Sequence, residues 1–351
     1  MLDKWKLQDD GSLLAKSRNV LIGWKDPMIY QLERRAPTPT QEAIMVLLQW
    51  LASFRVSGMI SDLTNAFGQS RKTNRETPLA TELPKGVKHP SVPEGCLLKV
   101  ETELYGLVSG PSWLRASLSM DLQEAGYVKN HYDRCVYTLP SADGKTSSGQ
   151  VLLDVDDFIE GGDQRHRKVM DKFYTKYKCG KAIDLVAAGE AGTLFAGRRI
   201  SQDRKFNIEV TMNHYVKDKL SKIEVPRGYI KDTKAVSDGM LTKIKGVNGA
   251  LGWLASTGRP DMAAVHSIIP GGYESRQPSL ITDVNSAVSQ CQSTPITIKI
   301  WSIPPEDLRW TTFTDSGFDT SEKARHQQGW IVGATNPWFN QGHLALVSVV
   351  H

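Results

Sequence analysis

Apolar positions along the chain change period several times, and the changes mark out short strands and helices in alternation. From Asp3 to about Asp26, apolar and β-branched residues lie on both sides of a turn at Asp9-Asp10-Gly11, which predicts two short strands with Lys16 and Arg18 on the second. Pro37 to Pro39, then Thr40 and a long apolar run, predict a helix capped by Thr40, with Ile44, Leu47, Leu48 and Leu51 on one face. It ends before Ser57-Gly58. MISDL, residues 59–63, reads as a short buried strand ending at an acid, and TNAFGQS leaves it as a turn or the start of a helix. Residues 70–93, rich in Lys, Pro, Thr and Glu, have no period and predict a surface excursion. A helix from about Ser112 to Ala125 closes on Gly126, and CVYTLP and GQVLLDV form two strands joined by the polar turn SADGKTSS.

Further on, RHRKVMDKFYTKY predicts a charged helix and LFAGRRISQDRKFNIEV a strand pair, followed by a helix from His214 to Ile223. Ile303-Pro304-Pro305 reads as a boundary, beyond which strands are expected at 308–315, 328–333 and 343–350. Two domains result, without internal repeats or low-complexity tracts.

Composition changes this picture little. A chain of 351 residues can bury a sizeable core, and its 40% apolar and 23% charged residues match ordinary soluble proteins. The formal charge of +5 is a mild excess that favours a polyanionic partner or simply a solvated surface. Cys96, Cys135, Cys179 and Cys291 lie far apart, which excludes a zinc knuckle or dense disulfide framework and suits a reducing, intracellular compartment. No segment has the apolar length of a membrane span, and the polar N-terminus offers no secretory signal.

The chemistry concentrates in LLDVDDFIEGG, where an apolar strand delivers Asp154, Asp156 and Asp157 within four positions. Neighbouring carboxylates repel unless a cation neutralises them, and Mg²⁺ takes oxygen ligands from a few carboxylates plus phosphates. Alone, the tripeptide is more often a solvated acidic turn in a hairpin. Asp62 ends a second apolar strand, with Phe67 five positions later, so one acid from one strand and a pair from a hairpin suffice for a two-metal site.

The succession SDLTNAFGQS, LYGLVSGPSWL, GYVKNHYDRCVY, VLLDVDDFIEGG and GRPDMA resembles, block by block, the reverse transcriptase domain of copia-type retrotransposon polyproteins, from about Lys4 to Met262. The resemblance implies an α+β right-hand polymerase fold. Fingers would span about 1–58 and 68–112, a palm with an antiparallel sheet about 59–67 and 113–212, and a thumb about 213–270. A connection (271–306) would lead to a truncated ribonuclease H-like strand unit (307–351). It further implies an RNA-directed DNA polymerase with Asp62, Asp156 and Asp157 as catalytic acids holding Mg²⁺ or Mn²⁺. Phe67 would be the steric gate beneath the sugar. Arg18 and Lys16 would contact the triphosphate, and Tyr105 and Gly106 the base and sugar. Pro111 and Trp113 would pack the following helix. Gly197 with Arg198-Arg199 would lie near the primer, and Lys217, Lys219 and Lys222 on a thumb helix along the template-primer backbone. The implied partners are an RNA and DNA template-primer and deoxynucleoside triphosphates, with no membrane. The implied location is intracellular, either cytoplasmic, including virus-like particles, or nuclear.

From Leu308, RWTTFTDSGFDTSEKARHQQGWIVG resembles the start of ribonuclease H, with Asp315 at its first metal ligand; the later acids are absent, so no ribonuclease H activity is expected. The hairpin departs from the family at Asp154, where an aromatic or histidine is usual, and a third acid there would leave one carboxyl with a raised pKa. The fingers also look clipped at their N-terminal edge. Those departures keep a second reading open, a nucleic-acid-binding remnant that no longer polymerises.

Overall fold

The computed structural model describes residues 2–7, 11–73, 75–232, 234–317, 327–341 and 347–349. Two units divide the chain: Met1–Pro39 with Ser61–Ala182, and Thr40–Ile60 with Ile183–His351.

In the first unit, β1 (Leu2–Leu7) and β2 (Leu13–Arg18) pair antiparallel from Leu2 opposite Arg18 to Leu7 opposite Leu13. The expected turn residues Asp9 and Asp10 and the side chain of Lys16 lie outside the described residues. Strand β3 (Met59–Leu63) follows, then a small antiparallel pair, β4 (Leu79–Thr81) and β5 (Leu98–Val100). The excursion expected over 70–93 therefore carries one strand, missed because three residues are too short to show a period.

The main sheet adds β6 (Val128–Lys129), β7 (Val136–Pro140), β8 (Ser147–Asp154), β9 (Asp157–Gly162) and β10 (Cys179–Asp184), in the order β10-β3-β9-β8-β7-β6. Strand β3, distant in sequence, thus lies beside the β8–β9 hairpin. Side chains alternate along a strand, so Ser61 and Leu63 face one way and Asp62 the other. The inward face is covered by helices Gly110–Glu124 and Gln164–Lys176. There Leu63, Leu114, Leu118, Leu122, Leu153, Phe158 and Phe173 form one core. Each fully buried leucine contributes roughly 1.5–3 kcal/mol of transfer free energy. Pro111 sits in the first turn of its helix, where its missing N–H costs nothing, and Gly126 follows the helix at φ +98°.

In the second unit, helix Gln41–Ser53 starts as expected. The Thr40 hydroxyl accepts from Ala43 N at 3.2 Å, and Ile44, Leu47, Leu48 and Leu51 are buried. A four-stranded antiparallel sheet runs β11 (Thr193–Phe195), β12 (Arg198–Gln202), β13 (Ile208–Thr211), β14 (Thr297–Ile300). Helices Asn213–Lys219, Asp238–Thr257 and Ser279–Ser293 share a second core around Leu251, Leu254, Ile281 and Val284. A last sheet joins β15 (Arg309–Gly317), β16 (Gln327–Thr335) and β17 (Val347–Val349). The third expected strand, 343–350, lies partly outside the described residues.

Two expectations are corrected here. The helix expected from His214 to Ile223 stops at Lys219, because Leu220 is extended (φ −96°, ψ 114°) and turns into the core, so Lys222 is off the helix. Arg198, expected near the primer, is instead enclosed by the protein's own residues. It is fully buried, donates to Thr257 O at 2.8 Å and bonds the Gln41 side chain. Among the described residues, no helix is long and apolar enough to cross a membrane.

Candidate active site

The β8–β9 hairpin closes in two residues, Val155 and Asp156, with Asp154 opposite Asp157. Such tight turns need positive φ, and Val155 adopts φ +56°. A β-branched residue in that region is strained, which this turn tolerates only because both strands and a neighbour hold it. The neighbour is β3: Leu63 N donates to Asp156 O at 2.9 Å, so the hairpin tip is bonded to the residue following Asp62. Three segments therefore bring Asp62, Asp154, Asp156 and Asp157 together.

Their charges act on one another. The Asp157 carboxyl rises from its ordinary 3.8 to about 7, through burial first and then the charges of Asp156, Asp62 and Asp154. The carboxyl of the group that is raised is Asp157, with Asp154 the smallest of the contributing charges. Across the other edge of β3, the Cys179 thiol is pushed up to about 11 by burial and the Asp62 charge. All donors at the hairpin tip are hard oxygens, which suits Mg²⁺ or Mn²⁺. Among the described residues no three His, Cys, Asp or Glu side chains are grouped closely enough to cage an ion by themselves. An ion here would need oxygens from phosphate or water besides the carboxylates, as Mg²⁺ sites in nucleotide-handling proteins do.

After Asp62 the chain turns sharply. Asn65 is left-handed at φ +55°, and a single 3₁₀ turn, Ala66–Gln69, presents Phe67. Gln69 fixes this turn to the segment before β10: its amide donates to Thr64 O at 2.5 Å and Lys178 O at 2.9 Å, and accepts from Lys178 N at 2.6 Å. A Cβ on Gly180 would fall 2.8 Å from the Thr64 hydroxyl and 3.9 Å from an Asp62 carboxylate oxygen. A side chain there would displace the Thr64 hydroxyl, two residues after the acid. Gln69 and Gly180 escaped sequence reasoning, because a polar surface-type residue and a strand glycine carry no motif signal.

A second group forms around Tyr105. The Phe67 ring meets it edge-on at 4.9 Å between centroids, and the Arg18 guanidinium lies 4.8 Å over its face. The backbones close underneath: Leu21 N donates to Tyr105 O at 2.7 Å, and Gly106 holds φ +93°. A Cβ on Gly106 would stand 2.0 Å from Leu21 O, so only glycine fits. Buried Arg75 bonds Asp26 at 2.6 Å, Glu103 at 3.1 Å and Ser109 at 3.0 Å, fixing the segments on either side of this contact. Trp113 packs its helix and donates from its indole N–H to Arg71 O at 2.7 Å. Arg18, Phe67, Tyr105 and Gly106, which the resemblance assigned to the incoming nucleotide, thus lie together, while Arg75 carries no motif signal that would mark it. Asp315 lies in β15 opposite Gly329, exposed, in the second unit.

No protein-family model matches the chain, and no curated protein matches it. A solved structure that is similar is the foamy viral protease-reverse transcriptase dRH in complex with double-stranded DNA. The TM-score is 0.50 at 11% identity, over 98% of this chain and 50% of that one. The chain spans half the length of that protein. At this identity the likeness speaks of fold alone: the chain's fold is similar to that of this reverse transcriptase structure.

Proposed function

We propose that this chain is the reverse transcriptase region of a copia-type retrotransposon polyprotein, extending a primer by nucleotidyl transfer directed by an RNA template. One observation carries the reading: Asp62 and the hairpin acids meet at the end of three segments, where burial first and the neighbouring acid charges next lift Asp157 to about 7. Carboxylates gathered this way repel one another, and a divalent cation relieves that repulsion. In this reading the antiparallel sheet of the first unit is the palm and the β1–β2 hairpin belongs to the fingers.

Bound Mg²⁺ or Mn²⁺ would supply Lewis acidity at the attacking and leaving oxygens. Asp62, Asp156 and Asp157 would hold it. The primer 3′-oxygen bonds the α-phosphorus as the bond to the leaving phosphate oxygen breaks, releasing pyrophosphate and a proton. Arg18, steadied over the Tyr105 ring, grips triphosphate oxygens with its planar fork. Phe67, held edge-on by Tyr105, lies under the sugar and excludes a 2′-hydroxyl. The duplex DNA named with the foamy viral enzyme makes a template-primer the natural partner, and Lys217 and Lys219 are cations suited to its phosphates.

A second reading, a nucleic-acid-binding remnant, draws on Asp154, whose charge adds to the crowding at Asp157. Primer extension on RNA and DNA templates separates the two. Incorporation that requires Mg²⁺ or Mn²⁺ supports the polymerase; salt-sensitive binding without incorporation supports the remnant.

A further inference from the structure

Beneath the acids, on the inward face of the sheet, lies a polar cluster that the proposed chemistry does not use. Glu160 of β9 is fully buried, and its carboxylate meets three partners: His166 Nε2 at 2.6 Å, Arg167 at 3.0 Å and the Tyr174 hydroxyl at 3.0 Å. His166 is also fully buried, and its Nδ1 lies 2.7 Å from the Tyr127 hydroxyl. With Nε2 donating to Glu160, Nδ1 accepts from Tyr127. The slot for its ring is cut by two glycines. Gly149 and Gly162 face each other across β8 and β9, and a Cβ on either would fall within 2.5 Å of the imidazole.

The cluster reaches the strand that carries Asp62. The Tyr174 hydroxyl, donating to Glu160, lies 3.1 Å from Ser61 Oγ, so Ser61 donates to Tyr174. Burial and the Glu160 charge both raise the Tyr174 and Tyr127 phenols, which keeps them donors. Ser61 immediately precedes Asp62, and Glu160 follows Asp157 by three positions on the opposite face. One hydrogen-bonded path, Ser61 to Tyr174 to Glu160, therefore runs between β3 and β9.

Stability alone is a poor reason for this arrangement, since a buried charged cluster replaced by apolar residues is often neutral or stabilising. Geometry is a better one. No turn joins β3 to β9, so the spacing of Asp62 from the hairpin acids depends on the backbone ladder between the two strands and on the side chains that bridge them. We infer that Ser61, Tyr174 and Glu160 are positioning residues that set the spacing of Asp62 and Asp157, and so the fit of the acids to a divalent cation. The cation part rests on the proposed polymerase function.

Two readouts test it on the full chain: exchange of the Leu63 amide, whose N–H is bonded to the hairpin tip, and Mn²⁺ binding by electron paramagnetic resonance. Tyr174→Phe and Ser61→Ala each remove one bond of the path. Both should raise Leu63 exchange and the Mn²⁺ half-saturation about three- to tenfold, the equivalent of one hydrogen bond. Tyr127→Phe, which loosens the cluster away from β3, should lower the melting temperature and leave Leu63 exchange and Mn²⁺ binding at parental values. Leu63 exchange unchanged in both path variants, or changed equally in Tyr127→Phe, overturns the positioning role. Faster exchange with unaltered Mn²⁺ affinity overturns its link to the cation. A parent that neither binds Mn²⁺ nor extends a primer refutes the polymerase reading instead, while its Leu63 exchange still reports on the path.

Discussion

Replacing Asp157 by Asn should make the protein more stable at neutral and alkaline pH. The Asp157 carboxyl titrates near 7 in the fold, against 3.8 ordinarily, because it is part-buried among Asp156, Asp62 and Asp154. Between about pH 4 and 7 the unfolded chain releases a proton that the folded chain retains, so stability falls as pH rises through that window. Above it the folded protein carries the full cost of a buried carboxylate beside three other acids. That separation corresponds to roughly 4 kcal/mol if nothing screened it. The carboxylate is partly solvated, which reduces the effect to about 1–2 kcal/mol. Asp157→Asn removes the charge with little change of shape. Its melting temperature should exceed the parent's by roughly 3–6 °C at pH 8, and the gap should close by pH 4. Added Mg²⁺ should raise the parent more than the variant, since a ligand stabilises the state it binds. Scanning calorimetry from pH 4 to 8 in chelator and in Mg²⁺ measures all of this. A gap of equal size at pH 4 and pH 8, or none at pH 8, would refute the raised Asp157 carboxyl and the burial and repulsion that raise it.

Three further substitutions test neighbouring parts of the structure. Val155→Asn should stabilise the hairpin by about 0.5–1 kcal/mol, because Asn accepts the left-handed φ of +56° that strains valine; a lower urea midpoint would contradict this. Gly106→Ala should cost at least about 2 kcal/mol, since its Cβ would stand 2.0 Å from Leu21 O, and an unchanged midpoint would dismiss the close approach. Arg198→Met should cost about 1–3 kcal/mol, the loss of buried hydrogen bonds, with duplex affinity of the folded variant at the parental level; a selective loss of affinity would restore Arg198 to the nucleic-acid surface.

The acids were legible because their signals are local. An apolar strand ending in Asp62 and an apolar hairpin tipped by Asp156 and Asp157 are visible in any window of ten residues, and the hairpin register follows from the same alternation. Arg18, Phe67, Tyr105 and Gly106 were legible only through the order of motifs, for nothing in their spacing says they meet. The burial of Arg198 was not legible, because it depends on partners at Gln41 and Thr257, distant in sequence. Glu160 and His166 were passed over for a related reason. A glutamate in a strand and a histidine in a charged helix have no local mark of burial, and the glycines that make room for the imidazole look like flexible linkers. The end of the helix at Lys219 was set by Leu220 packing into the core, a tertiary effect that overrides helix propensity.

The central claim, that the clustered acids perform nucleotidyl transfer, is tested most directly by single-nucleotide insertion on an RNA template-primer, parent beside Asp156→Asn. The Asp156 main-chain oxygen, which accepts from Leu63 N, is untouched by the substitution, so the hairpin should stay docked and the melting curve should be close to the parent's. Expected is Mg²⁺- or Mn²⁺-dependent insertion by the parent and a loss on the order of 10³-fold in the variant, the several kcal/mol that a metal ligand commands. Insertion at equal rates by the two proteins, or none by a folded parent that still binds the duplex, would contradict it.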